Sequence, residues 1–251
     1  MTARLAHIRV HPIKTLGGDD LDHVQLSAGA HLPGDRTYAV LHEGALKHLE
    51  DGRLTRWLPK AAFLRGAACP ALQAVKGGWR GDLIRLNHPD RPDLEIDPEN
   101  PADQQALIGW LSPLWGADRS APARLLRGQG PLTDQSQPLV SILSLASLHA
   151  IEARLGQDIG LDRWRGNLWI EGWEPFAEQD LTGREIAIGE ARLLVRKPIG
   201  RCPAVEISTK TGSRDSDMLA LLREMTGTED FGVFAEVVTG GKITRADEVQ
   251  I

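Results

Sequence analysis

Apolar and polar residues alternate in several short runs along the first hundred residues. The runs are HIRVHPI (7–13), HVQLS (23–27), TYAVLHE (37–43) and LIRLNHP (83–89), with turn-forming residues between them. Successive side chains of a strand point to opposite faces of a sheet, so a period of two predicts short β-strands. The segment GALKHLEDG (44–52) fits neither the strand pattern nor the helix pattern.

Three segments have the spacing of an amphipathic helix. The first begins at Asn100, a typical N-cap that is followed by proline, and ends at Gly116. The second follows Ser144 as N-cap and covers 145–156, and the third covers 215–227. Their inward positions are predicted to be Leu107, Trp110, Leu111 and Leu114 in the first helix, Leu148, Ile151 and Leu155 in the second, and Met218, Leu221, Leu222 and Met225 in the third.

Strand patterns return after the second helix. They lie in NLWIEG (167–172), REIAIGEARLLVRKPI (184–199) and GVFAEVVTGGKI (232–243), and Gly189-Glu190 predicts a hairpin within the middle one. Strand-rich halves with few helices predict a mainly β fold with some α, either barrel-like or α+β. Strands and helices do not alternate and G-x-G-x-x-G is missing, so a Rossmann sheet is not favoured.

The stretch 118–138 is rich in proline, glycine and polar residues. Such a composition is typical of a connection between folded units, so it predicts a domain boundary near 120–137. We therefore expect two domains, covering residues 1–120 and 130–251.

Composition narrows the possible functions. The 251-residue chain has a net charge of -5, which does not favour general attraction to nucleic acid or to anionic membranes. We find no apolar run of about 20 residues and no signal-peptide pattern, so we expect no membrane association. Two cysteines are too few for a disulfide framework, and a reducing cytoplasm is the expected setting. The eight histidines are scattered and neither C-x-x-C nor G-x-S-x-G occurs, so a zinc site and a hydrolase elbow are not favoured.

Four short segments place cations and hydroxyls next to strand ends. Such donors suit a phosphate or another anion. A cysteine in the last segment is either a buried filler or a reactive thiol, whereas Cys69, within an apolar run, is expected to be a core residue. The segments hold Lys14 and Thr15 in HPIKTLGG, Arg36 in GDRTYAV, Arg163, Arg165 and Asn167 in DRWRGNLWIEG, and Arg201 beside Cys202 in GRCP.

Taken together and in this order, the four segments resemble the MOSC family, named for the C-terminal domain of molybdenum cofactor sulfurase. They are most similar to its two-part members, in which an N-terminal MOSC β-barrel domain precedes the MOSC domain. The mitochondrial amidoxime-reducing component and its bacterial relatives are of this kind. HPIKTLGG resembles the family's opening lysine motif, RWRGNLWIEG its R-x-R-x-N segment, and RC followed by Thr211-Gly212 its cysteine loop.

The resemblance implies a molybdenum cofactor, which is a pterin carrying a dithiolene and a phosphate, bound between two β-rich domains. It implies Cys202 as the protein ligand to molybdenum and the catalytic position, and a thiolate is a soft ligand suited to such a metal. The residues implied to bind the pterin and phosphate are Lys14, Thr15, Arg36, Arg165, Asn167 and Arg201.

Three functions remain open at this point. The first is an oxidoreductase that reduces N-hydroxylated small molecules at a molybdenum centre; no ferredoxin-like cysteine set follows, so its electron donor is expected to be a separate protein. The second is a sulfur carrier or sulfur-transfer protein in which Cys202 holds a persulfide. The third is a non-catalytic protein that binds or delivers the cofactor.

Overall fold

The structure, a computed structural model, describes residues 2–251. Strands predominate, and this confirms the mainly β fold with some α. The three α-helices among the described residues are α1 (Pro101–Trp115), α2 (Leu145–Leu155) and α3 (Met218–Thr226). The strands are β1 (Arg4–Val10), β2 (Asp19–Leu21), β3 (His23–Leu26), β4 (Tyr38–His42), β5 (Lys76–Arg80), β6 (Leu83–His88), β7 (Arg91–Ile96), β8 (Pro122–Arg127), β9 (Val140–Ser144), β10 (Leu168–Glu171), β11 (Glu185–Ile188), β12 (Ala191–Gly200), β13 (Asp230–Thr239), β14 (Gly241–Thr244) and β15 (Val249–Gln250).

One large sheet organises the molecule. Its strand order is β15-β11-β12-β13-β9-β10-β1-β2, and β9 and β10 form its parallel pair. Smaller sheets pair β3 with β14 and β4 with β8, and join β5, β6 and β7. These sheets are open: the described residues form no closed barrel.

The helix ends follow the local sequence signals. The Asn100 side chain accepts hydrogen bonds from the first-turn amides of α1, and the Ser144 side chain does the same for α2. These bonds satisfy backbone donors that have no partner within a helix. Gly156 and Gly227 end α2 and α3 in the left-handed conformation, which glycine adopts without steric cost. The hairpin at Gly189 is also confirmed, because Ile188 pairs with Ala191.

The fold has two packing units, one around the large sheet and one around α1 and the strands from β4 to β8, and the N-terminal residues contribute to both. β1 and β2 complete the large sheet, and Leu5, Ile8 and Val10 share its core with residues beyond 139. A second core begins at Ile13 and packs α1 against residues 38–125. The chain passes from the first core to the second at Ile13, returns to the first between Leu21 and Leu32, and enters the second again at Tyr38. The domain boundary near 120–137 stays a prediction.

Some strands carry no clear sequence signal. β8 lies inside the stretch 118–138 that the composition marks as irregular, and it is ordered by pairing with β4. β5 has the sequence KGGWR, which has poor strand propensity, and it forms by pairing with β6. The ambiguous segment 44–52 begins as a 3-10 helix at Glu43–His48.

No helix among residues 2–251 has the length and apolar character needed to cross a membrane.

Candidate functional site

A cavity of about 480 Å³ opens between the two packing units. Its volume is within the range of small-molecule and cofactor sites. The structure brings to this one cavity every residue that the sequence marks as a site residue, while their chemical roles stay predictions. These residues are Lys14, Thr15, Arg36, Arg165, Asn167, Arg201 and Cys202.

The cavity wall is strongly cationic although the protein is acidic overall. Two carboxylates, Asp35 and Asp134, face eight cationic side chains. Preorganised cations around a cavity favour an anionic ligand, since the surrounding protein shields them from bulk water. The eight cations are Lys14, Arg36, Lys60, Arg65, Arg163, Arg165, Lys197 and Arg201.

Three of the predicted site residues have a left-handed backbone. The φ angles are 76° at Thr15, 49° at Arg36 and 52° at Arg165. Residues other than glycine rarely adopt this conformation, and β-branched threonine least of all. Such strain persists where the surrounding structure enforces it, and it concentrates at functional sites. The surrounding structure therefore holds the cavity wall at Thr15, Arg36 and Arg165 in a conformation that the backbone of these residues does not favour by itself.

Arg165 holds the turn at residues 13–17, which carries the predicted site residues Lys14 and Thr15. Its guanidinium donates to the carbonyl oxygens of Thr15 (3.1 Å) and Gly17 (2.7 Å), and also to those of Ile13 and Leu16. Burial and the neighbouring Arg36 charge lower the pKa of Arg165 to about 9. Its donors already bind the protein backbone, so the structure gives Arg165 a structural role, and contact with a cofactor stays a prediction.

Asn167 is likewise engaged within the protein. Its side-chain oxygen accepts from the Ser141 hydroxyl (2.8 Å) and amide (3.2 Å), and its side-chain nitrogen donates to the Arg9 carbonyl (3.1 Å). The buried amide thus joins β1, β9 and the start of β10 beneath the cavity. Both bonds to Ser141 occupy the amide oxygen, and one N–H of the amide nitrogen is left for a ligand.

Lys14 is a buried ammonium, and its partner is a carboxylate from the stretch 118–138. Its Nζ lies 2.5 Å from Asp134 Oδ1 and donates to the Leu132 carbonyl at 2.9 Å. Burial lowers the pKa of Lys14. Burial would raise the pKa of Asp134, but Lys14, together with Lys60 and Arg36, more than offsets this and the pKa is lowered. The Asp134 carboxylate therefore already pairs with the Lys14 ammonium, which the family resemblance assigns to the cofactor.

Arg201 and Cys202 follow the end of β12. The register of β12 on β13 shifts between Val195 and Lys197 and again before Gly200, and such bulges redirect a strand. The Arg201 guanidinium packs against the rings of Trp164 and Phe231 and donates to their backbone carbonyls. Burial lowers the pKa of Arg201 to about 9.

The Cys202 thiol is half-buried on the cavity wall, where the chain enters a 3-10 turn at Pro203–Glu206. Of the described residues that line the cavity, Cys202 alone carries a thiol. Within residues 2–251, no three His, Cys, Asp or Glu side chains form a cluster that could hold a metal ion.

Two residues outside the implied cofactor-binding set hold the loop after Cys202: Arg163, which the sequence marks only as one of the cations of its segment, and Gln73. Arg163 donates to both carboxylate oxygens of Asp215, at 2.7 and 2.6 Å, and to the Val205 carbonyl at 3.1 Å. Gln73, from the other packing unit, donates to the Ala204 carbonyl at 3.2 Å. The position of the thiol is thus fixed from both sides of the cavity.

Further cations that the motifs do not mark also line the cavity. Lys60 and Arg65 make no side-chain hydrogen bond or ion pair with any residue from 2 to 251. Lys197 donates to the Gln135 side chain at 2.7 Å. Lys60 and Arg65 lie in PKAAFLRGAAC (59–69), where apolar residues surround single charges, and Lys197 lies within a strand pattern. Lys60, Arg65 and Lys197 are identified as site residues only by the folded structure, in which they line the cavity.

The remaining thiol, Cys69, and the imidazole of His11 are both buried in the protein interior. Cys69 is buried, its Sγ lies 3.0 Å from the Leu114 carbonyl, and burial raises the pKa of its thiol, which confirms the expected core position. His11 is also fully buried, and its Nδ1 lies 3.1 Å from Asp35 Oδ1. Burial and the neighbouring Arg165 lower the pKa of His11 to about 3.

Fold and site together define a mainly β protein with a cation-lined cavity that contains one thiol. Residues 2–118 match the family model described as "MOSC N-terminal beta barrel domain", and residues 130–250 match the one described as "MOSC domain". The chain belongs to the MOSC family, as a member in which both parts are present.

Curated relatives match parts of the chain. A molybdenum cofactor sulfurase of Drosophila mojavensis is 32% identical over 47% of this chain and 15% of the relative. One of Drosophila persimilis is 26% identical over 66% of this chain and 25% of the relative. This chain therefore spans a quarter or less of the length of either relative. Among solved structures, the YUAD protein of Bacillus subtilis aligns over 99% of this chain and 94% of its own, with a TM-score of 0.49 and 15% identity.

Proposed function

We propose that this protein binds a molybdenum cofactor in the cavity and reduces N-hydroxylated small molecules there, with Cys202 as the molybdenum ligand. The observation that carries the proposal is a half-buried thiol on the wall of a cavity lined by eight cations and two carboxylates. A pterin phosphate needs cationic donors and molybdenum needs a soft ligand, so the donor set fits this group. The names of the curated relatives support a role connected with this cofactor.

Each part of the wall has a task under this proposal. Lys14 and Arg36 would hold the phosphate, together with the partner-free Lys60 and Arg65. Thr15 would orient the pterin through its backbone, because its hydroxyl already donates to the Leu64 carbonyl at 3.0 Å.

Arg165 and Asn167 would support this wall from behind, and Arg201 would fix the strand end that presents Cys202. When bound, the cofactor would supply the two-electron redox chemistry, and the protein would bind, orient and shield it.

The reaction requires an electron donor, which we propose to be a separate protein. Substrate would enter from the open side of the cavity, past the half-exposed Asp134 and its neighbours Thr133 and Gln135.

A second function is supported by one specific observation. The curated relatives are named molybdenum cofactor sulfurases. The loop thiol of Cys202 could attack the outer sulfur of a persulfide on a separate donor protein, so that the S–S bond of the donor breaks, its thiol leaves, and Cys202 carries the persulfide. The same cavity would then receive the cofactor as the molecule to be sulfurated. A binding or delivery protein without catalysis would use the same wall.

Protein purified from a molybdenum-replete host distinguishes these functions. Stoichiometric molybdenum and pterin, with turnover of an amidoxime by an artificial reductant, is the result that the first function predicts. Metal-free protein with cyanide-labile sulfur, which is lost in Cys202→Ser, would favour sulfur transfer. Bound cofactor without turnover would favour delivery.

A further inference from the structure

A surface segment of the unit that contains α1 carries cations without counter-charges. No Asp or Glu occurs from residue 52 to residue 81, although the chain has 34 acidic residues. Arg53 and Arg56 in this segment are exposed, and their side chains make no hydrogen bond or ion pair with any residue from 2 to 251. Exposed arginines elsewhere do pair, as Arg154 does with Glu224. The two guanidinium groups therefore keep their donors free for a partner.

An exposed indole lies beside these cations in the chain. Leu54 and Leu58 are buried in a core cluster, so they anchor the backbone on both sides of Trp57. Trp57 is nevertheless 49% exposed. Tryptophan and arginine are the residues that most often anchor protein–protein interfaces. The segment thus presents both kinds of anchor on a stretch of chain whose position the core fixes.

A third cation comes from a strand that is distant in sequence. A Cβ added at Gly52 would lie 2.9 Å from a guanidinium nitrogen of Arg124, so this arginine of β8 lies against the backbone next to Arg53. Arg124 is exposed and has no side-chain partner among residues 2–251. The exposed carboxylates of Glu50 and Asp51 precede the segment but make no ion pair with these arginines. We call the following residues the basic patch: Arg53, Arg56, Trp57 and Arg124.

The basic patch lies close to the mouth of the main cavity. Lys60, four residues after Arg56, is exposed and lines this cavity. Four residues of extended chain span at most about 14 Å, so the patch begins within that distance of the rim. A standard protein–protein interface covers about 800 Å² of each partner, which is wide enough to include both the patch and the rim. A protein docked on the patch therefore lies at the cavity opening.

We propose that the basic patch is the docking surface for a small acidic electron-carrier protein that supplies the reaction in the main cavity. This inference rests on the proposed reductase function, in which each N–OH group takes up two electrons and two protons and releases water. The carrier is oxidised as it supplies the electrons, and the protons come from solvent. Complexes of electron carriers are small and short-lived, and opposite charges steer their formation.

An acidic protein fits the patch better than a membrane or a nucleic acid does. The net charge of the chain is -5, so an extended anionic surface would meet the protein's own negative charge as well as the patch. A small carrier contacts only the patch and its surroundings. Trp57 supplies an apolar contact to such a partner, and salt screens charges but not this contact.

The binding test uses the full-length protein and two acidic electron carriers as probes, a [2Fe–2S] ferredoxin and a flavodoxin. At least one should bind in biolayer interferometry. Its affinity should fall at least about tenfold between ionic strengths of about 0.01 M and about 0.15 M, over which the Debye length shortens from about 30 Å to about 8 Å. Trp57→Ala should weaken binding at least about fivefold at both ionic strengths.

Charge reversals assign the binding to the patch. Arg53→Glu combined with Arg56→Glu should weaken binding at least about tenfold at the lower ionic strength. The matched control combines Arg184→Glu with Lys242→Glu, which changes the net charge equally at two exposed positions of the large-sheet unit, and it should weaken binding less than about threefold. Equal losses in the two double variants, no binding of either carrier, or binding to vesicles of phosphatidylcholine and phosphatidylserine instead would overturn the proposal.

Turnover separates the docking surface from the proposed function. With reduced methyl viologen as a small artificial donor, the double variant of Arg53 and Arg56 should reduce an amidoxime as fast as the wild type, and it should be slower only with the carrier. A wild type that binds the carrier through the patch but reduces no amidoxime with methyl viologen would contradict the reductase function and support the docking surface. Equal rates with the carrier in the wild type and the double variant would contradict the docking surface alone.

Discussion

Arg163→Ala is expected to loosen the loop that follows Cys202. The Arg163 side chain is 2% exposed and makes a two-oxygen pair with Asp215, which is 27% exposed. Removing one partner of a buried ion pair costs about 3–5 kcal/mol, because the other charge is left without its partner. Water can reach part of Asp215, so we expect a loss of about 2–4 kcal/mol, including the lost bond to Val205.

A matched control is present on the surface. Arg154 makes a similar pair with Glu224, at 2.6 Å, but both side chains are more than half exposed. Arg154→Ala should cost at most about 1 kcal/mol. The free energy of unfolding in urea measures both losses, and the rate at which a thiol reagent labels Cys202 reports the loop. Equal losses in the two variants, with unchanged labelling of Cys202 in Arg163→Ala, would refute the reasoning.

The same pair has a defined pH dependence. The hydrogen bond from Arg163 is the main cause that lowers the pKa of Asp215. A carboxyl with a lowered pKa in the folded protein stabilises it fully above the unfolded pKa of about 4, and this contribution is lost as the pH falls through the folded value. The stability difference between wild type and Arg163→Ala should therefore shrink only below about pH 4.

Three further predictions concern single groups. Asp134→Asn removes the carboxylate that pairs with Lys14 in the cavity. The affinity of the variant protein for pyrophosphate, measured by calorimetry, should therefore be about 2- to 10-fold higher than that of the wild type. An unchanged or lower affinity would show that Asp134 does not compete with an anionic ligand for Lys14. The pKa of His11 is lowered to about 3 in the folded protein. As the pH falls below about 6.5, the unfolded chain therefore takes up a proton on this imidazole and the folded protein does not, so the free energy of unfolding should fall by about 2 kcal/mol between pH 7 and pH 5. In urea unfolding, the free energy of unfolding should depend less on pH in His11→Asn than in the wild type, and as in the wild type in the control His23→Asn. The same pH dependence in both variants would show that His11 is not the group responsible. Under native conditions a thiol reagent should label Cys202 but not Cys69, as mapped by mass spectrometry, and preferential labelling of Cys69 would contradict the burial of that thiol.

Local signals account for the parts of the fold that the sequence predicts. The N-caps Asn100 and Ser144 and the glycines that end the helices act within a few residues, so their effect is visible in the chain itself. β5 and β8 lack such signals because their stability comes from pairing with distant strands. Such pairing depends on tertiary context rather than on intrinsic propensity.

The candidate site was predictable as a set of residues but not as a set of contacts. The motifs identify side chains that do come together around one cavity. They do not show that Arg165 binds carbonyls about 150 positions away, or that Asn167 joins three strands. Gln73 and Arg65 reach the cavity only through the packing of the other unit, which no spacing along the sequence encodes.

Metal and pterin analysis of wild-type protein and Cys202→Ser, produced side by side in a molybdenum-replete host, tests the central claim most directly. Elemental analysis gives molybdenum per chain, and fluorescence of the oxidised pterin gives cofactor per chain. We predict stoichiometric molybdenum and pterin in the wild type and a loss of molybdenum in Cys202→Ser, because a serine oxygen does not replace a soft thiolate ligand. Wild-type protein without either component, or a Cys202→Ser variant with the full molybdenum content, would contradict the claim.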